Sequence, residues 1–91
     1  MVSEIFLKIY GQVHGVGFRY HAEKTARSLK LAGYVRNANG GTVEILAQGK
    51  KENLEKLITW AGSGPDSASV EKIETEWREP SEIFSDFTIT D

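Results

Sequence analysis

Apolar residues alternate with other residues at Ile5, Leu7 and Ile9, the period-two pattern of a strand with one face in a core. Phe6 and Tyr10 fall on the opposite face, which implies that this face is also partly covered. The reading is a central strand over 5–10 that runs into a loop at Gly11. From Phe18 the period changes. Phe18, Ala22, Ala26 and Leu29 are spaced by four, four and three, one apolar stripe over three helical turns. Lys24, Arg27 and Lys30 lie off that stripe and are expected in solvent, with Gly33 as the helix stop.

Strands are predicted over 34–37 and 42–48, joined through Asn39, Gly40 and Gly41, which supply the left-handed conformers of a tight hairpin turn. Leu54, Leu57, Ile58 and Ala61 then repeat at i, i+3, i+4 and i+7, a second amphipathic helix that ends in the Gly-Ser-Gly-Pro of 62–65. Glu71, Ile73, Thr75 and Trp77 share one face of a fourth strand, with Val70 out of phase. A bulge near Lys72, or a strand that begins after Val70, accounts for the slip. Phe87 and Ile89 mark a short last strand, at an edge. The order β-α-β-β-α-β plus a terminal strand predicts an α+β, ferredoxin-like open-faced sandwich, with both helices on one face of a mostly antiparallel sheet.

The length of 91 residues is that of a single domain over 1–91 with one modest core, burying about 60–65% of its unfolded surface. There is no cysteine, which removes disulfides and thiolate chemistry together. No signal peptide or membrane span is recognisable, so a soluble, cytoplasmic and monomeric protein is expected. The net charge of −2 weighs against nucleic acid as a partner. It leaves room for one small anion held locally.

The stretch GQVHGVGFR over 11–19 carries the chemistry. Three glycines in seven positions give main-chain freedom and room for a ligand. A tight loop between a strand and a helix start gathers free N–H groups at the positive end of the helix dipole, a site for a tetrahedral anion such as phosphate. Arg19, in the first turn, brings a guanidinium to the same anion. The candidate cradle is the backbone of His14, Gly15, Val16, Gly17, Phe18 and Arg19.

This stretch closely resembles the acylphosphatase signature G-x-V-Q-G-V-x-F-R, with His14 where the family usually has glutamine. A second motif, Gly33-Tyr34-Val35-Arg36-Asn37 followed by Gly41-Thr42-Val43-Glu44-Ile45, resembles G-[YWF]-V-x-N-x-x-x-G-x-V-E at every fixed position. The resemblance implies the ferredoxin-like fold and hydrolysis of a small acyl phosphate to carboxylate and phosphate, with no cofactor and no metal. By it, Arg19 and Asn37 are the catalytic residues, Arg19 binding the phosphate and Asn37 positioning the attacking water. The implied chemistry is physically coherent: a carboxylate leaves without a strong general acid, and phosphoryl transfer depends on positioning and charge neutralisation.

A histidine can serve as an acid or base near neutral pH, but His14 and His21 are both expected to be structural or surface groups. Glu71, Glu74 and Glu76 read as a solvated strand face without metal-ligand spacing, and Trp60 and Trp77 as packing residues. Two other classes compete: a non-catalytic module that binds RNA or senses an anion, and a detached part of a larger maturation enzyme. An RNA-recognition sheet would carry an aromatic RNP string that is missing here. The chain reads as self-sufficient, with no trailing linker. Turnover against mere binding separates the alternatives.

Overall fold

The computed structural model describes residues 2–90. The elements are β1 (Ser3–Gln12), α1 (Phe18–Ser28), β2 (Ala32–Asn37), a 3-10 turn (Asn39–Gly41), β3 (Val43–Gly49), α2 (Lys51–Ser63), β4 (Ser69–Arg78) and β5 (Phe87–Thr90). The five-stranded sheet has the order β4-β1-β3-β2-β5, antiparallel throughout except for the parallel pair β2–β5. This is the ferredoxin-like sandwich with an added edge strand. Rows across β1 and β3 pair Ile5 with Ala47, Leu7 with Ile45 and Ile9 with Val43. These side chains bury the helix-covered face against Phe18, Ala22 and Ala26 of α1, Leu54, Leu57 and Ala61 of α2, and Phe87. Each fully buried large side chain contributes about 1.5–3 kcal/mol over its exposed state.

Two local expectations change, and a third point left open is resolved. First, α1 stops before Gly33. Lys30 takes the left-handed conformation at φ 58°, and Leu31 N–H and Lys30 N–H donate to the oxygens of Ala26 and Arg27. That double bond pattern closes a helix end through its backbone, whatever residue supplies the left-handed step. Gly33 instead lies inside β2 at φ 138°, where a side chain would collide with the main-chain oxygen of Leu46.

Second, Arg27 is not simply solvated. It bonds to Phe87 O at 2.8 Å and lies 3.4 Å from Asp86 and 3.6 Å from Glu23. Third, of the two explanations for Val70, the bulge holds. Tyr10 pairs with Lys72 and Gly11 with Val70, so Glu71 is the extra residue. The bulge turns Glu71 to solvent and returns Val70 to the core, where it packs against the buried cluster.

The face away from the helices is covered by side chains and one connection. Segment 79–86 crosses it and is held by Gln48, which is 3% exposed. Gln48 Nε2 donates to Glu4 Oε1 at 2.8 Å and to the oxygen of Glu82, and its Oε1 accepts Phe84 N–H at 3.0 Å. Phe84 then meets the Tyr34 ring edge-on at 5.9 Å. Arg78 lies over Phe6, and Lys72 over Tyr10. Trp60 packs as expected, 5.2 Å from Phe18 between ring centres, whereas Trp77 on edge strand β4 is 43% exposed.

Candidate active site

β1 and β2 both run antiparallel to β3, so they are parallel to each other and end at the same rim of the sheet. The row Ile9–Val43–Asn37 crosses that rim. β5, parallel to β2, brings Ile89 beside Val35. The loop that leaves β1 therefore arrives next to Asn37, outside the carboxyl ends of the strands.

Gly15 and Gly17 lie in the left-handed region at φ 70° and 76°. Gly17 is the N-cap of α1; no side chain caps this end and the first turn holds no acidic residue. The helix thus offers its first N–H groups and the positive end of its dipole without internal compensation. Phe18, 1% exposed, nails this terminus into the core against Trp60 and the turn at Gly64. Ser67 Oγ donates to Val16 O at 2.7 Å and steadies the loop from outside.

A cleft of about 220 Å3 opens at this terminus, lined by Val13, Gly15, Gly17, Phe18, Arg19, Tyr20, Asn37 and Ile89. The structure thus brings together Gly15, Gly17, Phe18, Arg19 and Asn37 from the sequence reading. His14 and Val16 stand outside the lining: the His14 ring turns to the β2–β3 turn, and Val16 packs on the core. His21 is exposed, edge-on to Tyr20 at 5.3 Å. Val13, Tyr20 and Ile89 were not anticipated as lining residues. Tyr20 carried a signal, an aromatic off the apolar stripe of its helix. Ile89 carried none, because a strand's partner is not written in its own residues.

The polar detail of this cleft lies in Asn37. Its Oδ1 is buried and accepts no hydrogen bond from the described residues. A buried acceptor without a donor is costly, by about 1–3 kcal/mol, and is uncommon in folded proteins. An acceptor beside an arginine and an uncapped helix start can hold a donor such as water next to a bound anion. Among the described residues no group of three His, Cys, Asp or Glu side chains converges as metal ligands would.

Residues 5–89 match the acylphosphatase family model. The chain belongs to the acylphosphatase family. An acylphosphatase of Pasteurella multocida is 48% identical over 89 residues, covering 98% of both chains. One from Thermococcus kodakarensis is 49% identical over 74 residues, 81% of each chain. Among solved structures, the acylphosphatase of Bacillus subtilis superposes over 100% of both chains with a TM-score of 0.94 at 33% identity. Membership covers both motif regions and the elements that bring them to one rim. Among the described residues of this acylphosphatase family member, no helix is long and apolar enough to cross a membrane.

Proposed function

We propose that the chain hydrolyses the carboxyl–phosphate bond of small acyl phosphates, as an acylphosphatase that needs no metal. The backbone of 14–19 and the Arg19 guanidinium bind the phosphate, and the Asn37 side-chain oxygen orients the attacking water. The orphaned Asn37 Oδ1, in one cleft with Arg19 and the uncapped start of α1, is the observation that carries this reading. Water adds to phosphorus, the bond to the acyl oxygen breaks, and the carboxylate leaves with that bond's electron pair; the proton of water passes to solvent. Charge on the equatorial oxygens is met by the guanidinium and the helix dipole, which is the chief demand of such a transfer. Family membership supports the reaction class. The net charge of −2 fits a small-molecule substrate better than nucleic acid, and the reading takes 1–91 as one cytoplasmic domain acting as a monomer.

The test is hydrolysis of benzoyl phosphate in excess EDTA by the wild type, Arg19→Ala and Asn37→Ala. The wild type turns over rapidly and each variant loses about 10²–10⁴-fold in kcat. Activity that survives both substitutions, or that EDTA removes, contradicts the proposal. Phosphate binding without hydrolysis indicates an anion-binding module instead.

A further inference from the structure

One side chain of the loop makes a contact that the hydrolysis reading does not use. His14 Nε2 lies 2.7 Å from the main-chain oxygen of Thr42. A carbonyl oxygen only accepts, so the ring carries its proton on Nε2 and donates it there. The same oxygen accepts Ala38 N–H at 2.8 Å, the bond that closes the turn between β2 and β3. Thr42 is 5% exposed, and its hydroxyl donates to Asn39 O at 3.3 Å, so the acceptor is itself held in place. Ala38 directly follows Asn37. The imidazole therefore reaches from the start of the phosphate loop to the turn that follows Asn37.

We propose that His14 is a positioning residue whose ring fixes the phosphate loop relative to the Asn37 side chain. The proposal rests on the hydrolysis reading of the site. The two halves of the cleft come from β1 and β2, and β3 lies between these strands, so no ladder bond joins them directly. In-line attack requires phosphate and water to be placed within about 0.5 Å, and a misplacement of about 1 Å is enough for a 10²-fold loss. A side-chain tether across the end of β3 sets that spacing. Glutamine, usual at this place in the family's motif, carries an amide N–H able to donate to the same oxygen, so donation rather than imidazole chemistry is the property at stake.

Two substitutions separate donation from bulk: His14→Leu keeps an apolar side chain without a donor, and His14→Gln restores one. With benzoyl phosphate, His14→Leu is expected to lower kcat by about 10–100-fold while competitive inhibition by inorganic phosphate changes less than about threefold. His14→Gln is expected to return kcat to within about threefold of the wild type. Wild-type kcat in His14→Leu, or equal loss in both variants, overturns the proposal. A readout independent of turnover is the pair of Asn37 side-chain amide resonances, expected to shift in His14→Leu and to stay in His14→Gln. Resonances indifferent to His14→Leu overturn the proposal even in an active enzyme, whereas a wild type that hydrolyses nothing counts against the hydrolysis reading alone.

Discussion

Arg27 Nη2 donates a hydrogen bond to the main-chain oxygen of Phe87 at 2.8 Å, joining the last turn of α1 to the first residue of β5. The helix that follows the glycine loop and the edge strand that carries Ile89 into the cleft are thereby held as one unit. Asp86 reinforces the joint, since its Oδ1 accepts Phe87 N–H at 2.8 Å while Gly33 N–H donates to its main-chain oxygen at 2.9 Å. Arg27→Ala is expected to destabilise the fold by about 1 kcal/mol: a charged donor to a carbonyl is worth about 1.5–3 kcal/mol when buried, and half of this side chain is in solvent. Urea unfolding measures it, and an unchanged midpoint would mean that β5 is held by Phe87 burial alone.

Gly33 lies directly against the main chain of Leu46. At φ 138° Gly33 has no room for a Cβ, because the Leu46 main-chain oxygen occupies that place. Gly33→Ala must both strain the backbone and part β2 from β3, at a cost of about 3 kcal/mol or more. Thermal unfolding of the variant gives the answer, and a melting temperature equal to the wild type would show that the strand can shift without penalty.

Lys30 carries the opposite prediction. A non-glycine residue at φ 58° costs about 1–2 kcal/mol, and glycine adopts the same conformation freely. Lys30→Gly gains there and loses part of the gain through a more flexible unfolded chain, leaving a net stabilisation of about 0.5–1 kcal/mol. A decrease in stability would mean that the lysine side chain contributes more than its backbone costs.

These positions show what was legible in the sequence. The 3.6-residue stripe of Phe18, Ala22 and Ala26 and the alternation of Ile5, Leu7 and Ile9 record burial directly, so elements and layers could be read from them. The glycine loop, Arg19 and Asn37 were legible because short motifs specify main-chain shape and one side chain each. Helix stops were less so: the backbone closes α1 at Lys30, with no residue-type signal, while Gly33 serves a steric need that only the neighbouring strand creates. Arg27 looked solvated because two of its partners, Asp86 and Phe87, lie about sixty residues away. The same is true of Ile89 in the cleft and of the His14–Thr42 contact, which are tertiary facts.

On the sheet face away from the helices, Tyr10 O–H donates to Glu74 Oε1 at 2.7 Å. That bond, with Lys72 nearby, holds the exposed Glu74 carboxyl below its ordinary value, and it raises the Tyr10 hydroxyl above its own. The Glu74 contribution to stability is present above its unfolded value and fades as pH falls through the lowered one. The Tyr10 contribution is present below its unfolded value and is lost as pH rises through the raised one. In Tyr10→Phe the Glu74 titration, followed by NMR of its carboxyl carbon, is expected to move up toward the ordinary carboxylate range. An unmoved titration would assign the lowering to Lys72 and Lys8.

In the proposed mechanism Asn37 serves the attacking water and leaves phosphate binding to the loop and Arg19. The most direct measurement compares Asn37→Ala with the wild type for both kcat on benzoyl phosphate and the competitive inhibition constant of inorganic phosphate. The expected result is a fall in kcat of about 10²–10⁴-fold with the inhibition constant nearly unchanged, the mark of a group that acts only in the transition state. Unchanged kcat, or a loss of phosphate binding as large as the loss of turnover, would contradict it.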